Sequence, residues 1–319
     1  MHAALVTSFD QPPRYETVDA PVPAHESEVV VDVVASALHP RVRSQSDGSH
    51  YTSTEELPLI PGIDGVGRTA SGELRYFVLP DTTQGALADQ TVIDLRRSIP
   101  IDINVDPLIV AAGMNPAMSS WLALRKRMDF QAGQSVLVLG ATGSAGRLAV
   151  QVAKHFGASR VVVAGRDAAR LAELRDLGAD ELVSLAGSDD EVGMRLANAA
   201  ADVDVVIDYL WGPPTALAME AIVTARPDSG RPLTWIEIGS MAGATAAIPS
   251  AALRAAALTI VGSGQGSVSP REILSELPAL VAAIADGVFT IDARAVPLAQ
   301  VETVWTAPET GGQRVVFVP

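Results

Sequence analysis

The feature that most constrains this chain is an apolar run, Val136-Leu137-Val138-Leu139, that breaks into Gly140-Ala141-Thr142-Gly143-Ser144-Ala145-Gly146 and then into a helical pattern stopped by Gly157. A strand that turns on glycines into a helix leaves unpaired backbone N–H groups and the positive end of the helix dipole facing outward, where a pyrophosphate can sit. Glycine is needed there because a phosphate must approach the backbone closely and the helix must pack tightly on its sheet. The same residues can make a plain tight turn, but the strand, turn and helix in succession favour dinucleotide binding at Gly140, Thr142, Gly143, Ser144, Ala145 and Gly146.

The surroundings of this turn fit an α/β domain. Apolar runs at 135–139, 160–164, 203–209, 233–238 and 258–261 predict buried strands. Between them, residues 146–156 read as a helix, and Asp167 caps a second one whose Leu171, Leu174 and Leu177 share a face before Gly178 ends it. Such alternation implies a parallel sheet covered on both faces. The first hundred residues differ, with short alternating runs at 27–35 and 74–79 separated by Pro, Gly and Asp clusters, the pattern of a β-rich domain. Residues 289–296 and 314–318 read as strands again, so the tail is expected to rejoin the first domain. At roughly 100 to 200 residues per domain, the 319 residues divide into residues 1–108 with 288–319 and an inserted domain at 109–287.

Charge and composition exclude several functions. The 23 Lys and Arg against 37 Asp and Glu leave a net charge of −14, which argues against nucleic acid or an anionic membrane surface as partner. An anionic ligand must then be held by a few local arginines or by backbone amides. The cysteine count is 0, so disulfides, thiolate nucleophiles and Cys-based metal sites are out. Met1-His2-Ala3-Ala4-Leu5 has no basic region followed by an apolar core, and no run approaches a membrane span, so a soluble cytoplasmic protein is expected.

The end of the second strand selects the dinucleotide. An NAD site places an acid there for the ribose 2′-hydroxyl, whereas a 2′-phosphate calls for Arg. Here the run is Val163-Ala164-Gly165-Arg166-Asp167, with Arg170 one turn on. Glycine stands where the acid would be, and two guanidinium groups follow. They can be solvated charges on a surface helix, but their planar forks suit a phosphate, and NADPH is the expected cofactor.

Together these features resemble the medium-chain dehydrogenase/reductase superfamily, and within it the zinc-independent quinone oxidoreductase and enoyl reductase branch. The carriers of the resemblance are Pro21-Val22-Pro23 with Glu28-Val29-Val30-Val31; Ala37-Leu38-His39-Pro40; Leu57-Pro58-Leu59-Ile60-Pro61-Gly62 with Asp64-Gly65-Val66-Gly67; the glycine turn; Asp204-Val205-Val206-Ile207-Asp208; and Ile238-Gly239-Ser240. The resemblance covers nearly the whole chain. It implies a Rossmann doubly wound sheet inserted in a GroES-like partial barrel, a cofactor cleft between the two, and a homodimer. Two departures stand out: His39 replaces the Asn that this branch places before Pro, and the segment after Gly67 is shorter than usual. Zinc-dependent relatives carry Gly-His-Glu where this chain reads Gly62-Ile63-Asp64, and isoleucine cannot ligate zinc. No tyrosine here has Lys four residues on, which sets the short-chain alternative aside.

Without a Lewis acid, reduction of a quinone or activated alkene is easier than alcohol–ketone exchange, because conjugation spreads the incoming charge onto a distal oxygen. The expected reaction is hydride transfer from NADPH to a small-molecule electron acceptor, a quinone or an α,β-unsaturated carbonyl. A non-catalytic NADPH-binding sensor or structural protein, or a metal-free alcohol dehydrogenase, is the alternative. By resemblance Tyr51 lines the cleft and His39 sits where the branch's Asn approaches the nicotinamide ribose; either could donate to a developing oxyanion, or be a loop tyrosine and a packed histidine. Asn115 and Trp121 are expected to shape the pocket, and Ser119 to reach the cofactor. Two later strand ends, Ile238-Gly239-Ser240 and Ser263-Gly264, complete the expected cofactor contacts unless they are only turns. Arg314 matches a basic position that approaches the nucleotide in relatives, or is a solvated strand-end charge.

Overall fold

The computed structural model describes residues 1–307 and 313–319, and the chain divides into two compact units, 1–115 with 273–319 and 116–272. The strands are β1 (His2–Leu5), β2 (Arg14–Thr17), β3 (Glu28–Ala37), β4 (Asp64–Thr69), β5 (Leu74–Val78), β6 (Gln90–Asp94), β7 (Ser98–Pro100), β8 (Ser135–Leu139), β9 (Arg160–Gly165), β10 (Glu181–Ser184), β11 (Val205–Asp208), β12 (Leu233–Glu237), β13 (Leu258–Gly262), β14 (Ala293–Pro297) and β15 (Arg314–Val318). The helices that matter for function are α1 (Pro40–Ser46), α2 (Pro107–Leu122), α3 (Ser144–His155) and α4 (Ala168–Glu173). The division between the units falls inside α2 and inside the helix Pro270–Ala285. Among the described residues no helix is long and apolar enough to cross a membrane.

The second unit holds a six-stranded parallel sheet in the order β10-β9-β8-β11-β12-β13. Counted from its first strand the order is 3-2-1-4-5-6, the doubly wound Rossmann arrangement, which reverses direction between β8 and β11. Apart from the partly exposed Arg160 at the start of β9, the central strands are buried along their length, which is why they read as near-continuous apolar runs without alternation. On one face Leu137, Val162, Val206 and Trp235 pack with Leu196, Ala218, Met219 and Ile222. The sixth strand, β10, lay outside the sequence expectation. It is a four-residue edge strand, Glu-Leu-Val-Ser, too short and too polar at its ends to stand out.

In the first unit, seven strands form a mainly antiparallel sheet in the order β14-β15-β3-β4-β5-β7, with β6 also paired to β3. Ten-residue β3 is its spine and shifts register between Val33 and Ala35. The tail strand β15 pairs with the end of β3 through Val316 opposite Ala37. The strand expected at 289–296 is displaced: β14 begins only at Ala293, and the apolar signal ahead of it comes from Phe289, which is buried from an irregular segment.

Candidate functional site

Because every strand of the parallel sheet runs the same way, the ends of β8, β9, β11, β12 and β13 bring five of the predicted segments to one edge. At the centre is the glycine turn. Gly140 takes φ +81°, a left-handed conformation that favours glycine. Its N–H and that of Ala141 donate to the Ala164 carbonyl at 3.0 and 3.1 Å, tying the turn to the end of β9. A Cβ on Gly146 would lie 2.4 Å from the Gly140 oxygen and 2.6 Å from Ala141 Cα, so the first turn of α3 sits against the loop with no room for a side chain. A Cβ on Gly143 would meet only the Gly140 oxygen, at 3.7 Å, which leaves the outer side of the turn open. The helix is N-capped by Gly143 and no side chain caps it. The opening N–H groups of a helix have no intrahelical acceptor, so α3 presents an uncapped, open donor set of the kind a pyrophosphate requires.

At the end of β9 the glycine has a steric cause. A Cβ on Gly165 would come within 2.7 Å of Thr142 Cγ2, so the threonine of the turn occupies the space an acidic side chain would need. Asp167 accepts from the N–H groups of Ala169 and Arg170, acting as the cap of α4. Arg166 is exposed, and Arg170 Nε lies 3.7 Å from a half-exposed Asp167 oxygen, a separation at which an ion pair is weak. Both guanidinium groups therefore remain available beside the turn.

A buried carboxylate anchors the end of β11 and ties it to β12. Asp208 accepts from the N–H groups of Leu210 (2.8 Å) and Trp211 (3.1 Å) on one oxygen, and from Thr215 Oγ1 (2.6 Å) and Trp235 Nε1 (2.9 Å) on the other. It fixes the turn after β11, where Trp211 takes φ 52°. Ile238 and Gly239 donate to the Asp208 carbonyl, Ser263 donates to the Glu237 carbonyl, and Gly264 closes a turn by donating to Ser267 Oγ. Ser240 and Gly264 are exposed, whereas Ser263 is buried. Ser119 Oγ donates to the Pro116 carbonyl at 2.7 Å and lies 2.8 Å from the Tyr209 hydroxyl. The arrangement that uses both contacts has Tyr209 donating. Burial pushes the Tyr209 phenol up to about 12, with the Ser119 and Ser120 hydrogen bonds opposing, which keeps it a donor. Trp121, expected to shape the pocket, instead packs against the end of α3, 5.5 Å from the His155 ring and 4.6 Å from Phe156.

In the first unit the predicted residues resolve into two groups. His39 is the N-cap of α1, placed there by Pro40, whose fixed φ starts the helix. It is buried, and its Nε2 lies 3.0 Å from Asp64 Oδ1, while Tyr76 donates to Asp64 Oδ2 at 2.8 Å. Burial lowers the His39 pKa, with Asp64 opposing and Arg314 and Arg41 adding to the depression. Burial, then Asp64, raises the Tyr76 phenol well above its ordinary value. Arg314 is 7% exposed, not a solvated strand-end charge, and donates through Nη1 to the Leu38 carbonyl at 2.9 Å. Tyr51 is separate from this group: it is 72% exposed and stacks on His50 at 4.3 Å. His50 is drawn down to about 4 by burial and by Arg41, which itself bonds Asp81 and Thr52. Asn115 lies half-buried in α2, just before Pro116. A groove of about 970 Å³ lined by Val18, Pro21, Ile60, Leu79 and Gln84 contains none of these residues. Among the described residues no three side chains of metal-binding type converge.

Comparison with known proteins agrees with this geometry. Residues 145–283 match the family model described as zinc-binding dehydrogenase. The chain is 30% identical to the probable NADPH-dependent quinone reductase tdiC of Emericella nidulans, over 100% of both chains. It belongs to the medium-chain dehydrogenase/reductase superfamily, in the quinone oxidoreductase-like branch. A second relative, the chloroplastic NADPH-dependent alkenal/one oxidoreductase of Arabidopsis thaliana, is 31% identical over 49% of this chain and 44% of its own. The quinone oxidoreductase of Thermus thermophilus, solved also with NADPH, superposes with a TM-score of 0.78 at 24% identity over 100% of both chains, which shows the shared fold. Asp64 and Tyr76 escaped the sequence reading of this member. Asp64 drew notice as part of a family fragment and of a broken zinc motif, not as a partner of His39.

Proposed function

We propose that the protein is a zinc-independent, NADPH-dependent oxidoreductase that reduces a quinone or an α,β-unsaturated carbonyl compound. The observation that carries this reading is the cradle at the end of β8 and β9: an uncapped helix packed too closely on its turn for any side chain, beside a strand end where glycine replaces the acid and two arginines follow. Its support from relatives is the full-length likeness to a probable NADPH-dependent quinone reductase, together with the partial likeness to an NADPH-dependent alkenal/one oxidoreductase.

The N–H groups opening α3, with Thr142 and Ser144, hold the pyrophosphate, and Arg166 and Arg170 hold the 2′-phosphate. Ser119, Ile238, Gly239, Ser240, Ser263, Gly264 and Arg314 complete the cofactor contacts, and Asn115 shapes the acceptor's surroundings. Bound NADPH supplies the hydride. The chain's own part is to orient the acceptor, exclude water and place a donor at the oxygen where charge develops. Tyr51 is that donor, exposed on the loop after α1 and stacked on His50. Zinc independence rests on Ile63 and on a chain with 0 cysteines. We further propose a homodimer.

The deciding experiment follows NADPH oxidation against quinones, enones, aldehydes and ketones. Turnover of quinones or enones, unaffected by chelator, is expected. Turnover of none would favour a binding protein, and chelator-sensitive activity would refute zinc independence. Tyr51→Phe should lower kcat by about 10²- to 10³-fold, the usual cost of losing one oxyanion donor, with NADPH affinity unchanged; a wild-type rate would remove Tyr51 from the reaction.

A further inference from the structure

His39, Asp64 and Tyr76 come from three different elements, the cap of α1, the first residue of β4 and the middle of β5, and form one buried chain of hydrogen bonds. Their exposures are 2%, 1% and 0%. Each Asp64 side-chain oxygen faces one partner: Tyr76 donates to Oδ2, and His39 Nε2 faces Oδ1. A carboxylate can only accept, so Nε2 carries a proton. The other ring nitrogen, Nδ1, is buried and has no hydrogen-bond partner among the described residues. Buried polar atoms are nearly always satisfied, and one that is not calls for a functional explanation.

We propose that Asp64 and Tyr76 are positioning residues that lock His39 as the Nε2–H tautomer, so that the ring offers a bare Nδ1 and accepts a hydrogen bond from a ligand hydroxyl. The inference rests on the functional reading above for the existence of a ligand, but not for the tautomer. It changes the role of His39: a ring held this way cannot serve a developing oxyanion, because two acceptors face each other. Two of the charged groups near the ring act in the same sense. Arg314 from β15 and Arg41 from α1 both oppose a positive imidazole, and burial outweighs the attraction of Asp64, so the ring stays neutral. Tyr76 remains a phenol and keeps donating to Asp64. The hydroxyl can arrive with the cofactor, whose riboses carry them, or with the acceptor, whose reduced quinone form does.

The test is nitrogen NMR of the imidazoles in the ligand-free protein, with the His39 signals assigned by loss in His39→Asn. A protonated Nε2 and an unprotonated Nδ1 at neutral pH are expected, and an Nδ1–H or doubly protonated ring would overturn the proposal. Asp64→Asn should release the lock and mix the tautomers; an unmixed spectrum in a folded variant would also overturn it. Should that variant not fold, Tyr76→Phe serves: with one donor fewer on Asp64, His39 should protonate at a higher pH, and an unmoved titration counts against the relay. Titrating NADP⁺ should move the Nδ1 signal if the hydroxyl comes with the cofactor, and titrating menadiol should move it if the hydroxyl comes with the acceptor. A signal that neither moves overturns the acceptor role. Calorimetry of NADPH binding reports separately, so the failure of the functional reading and the failure of this inference can be told apart.

Discussion

Arg166 and Arg170 have neighbours that explain their availability: Asp167 spends one carboxylate oxygen on the N–H groups of α4 and reaches Arg170 with the other only at 3.7 Å, and Thr142 fills the space an acid at Gly165 would need. A charge-assisted hydrogen bond contributes on the order of 1.5 to 3 kcal/mol, so losing either arginine should weaken NADPH binding roughly tenfold to a hundredfold. NADH has no 2′-phosphate and its affinity should barely move. Titration of both cofactors into wild type, Arg166→Ala and Arg170→Ala checks this, and equal losses for both cofactors would make the arginines ordinary surface charges. These residues were legible in the sequence because they lie within a few positions of the motif that gives them meaning. The partners of His39 were not: Asp64 is 25 residues away, Tyr76 a further 12, and it takes the pairing of β4 with both β3 and β5 to bring the three together.

At the scale of elements, legibility followed apolar content. Strands β8, β9 and β11 stood out by their apolar runs, covered on both faces; edge strand β13 was equally legible through Leu258, Ile260 and Val261 although it is largely exposed, and the four-residue edge strand β10 was not. The unit boundaries lie inside helices, where no Pro- or Gly-rich linker marks them. The junction of β8 and α3 lends itself to a paired test. Gly146→Ala would place a methyl group against the backbone of Gly140 and Ala141, which cannot yield without opening the turn. Overpacking of this kind costs about 1 to 3 kcal/mol, so its melting temperature should fall and NADPH affinity with it. Gly143→Ala is the control, since its φ of −77° suits any residue and its Cβ position is open. It should melt like wild type. Equal behaviour of the two variants would mean that the close packing of α3 on the turn is not what the glycines serve.

Two properties belong to the whole molecule. The first is its response to acid. His39 and His50 both titrate below the ordinary value of about 6.5 when folded, His50 at about 4. Between the folded and unfolded values the unfolded chain binds more protons, so stability falls as pH drops from about 6.5 and gains nothing from these groups above it. Replacing His50 by Asn should flatten the fall in melting temperature between pH 6.5 and about 4, and parallel curves would exclude it as a source. The second is the homodimer proposed above. Strand β13 ends the parallel sheet, pairing with β12 on one side only. Its sequence, Leu-Thr-Ile-Val-Gly, has none of the charges, prolines or bulges that usually protect a sheet edge, and Thr259 and Ile260 are exposed, the latter by 37%. In the homodimer proposed above, a two-fold axis beside such an edge would bring β13 of a second copy alongside in antiparallel register and satisfy the open backbone groups of both. Light scattering should therefore give the mass of a dimer for the wild type. Ile260→Lys, which sets like charges facing across the axis, should shift the population to monomer while NADPH binding by the glycine turn persists. A monomeric wild type, or a dimer indifferent to the lysine, would place the subunit contact elsewhere or remove it.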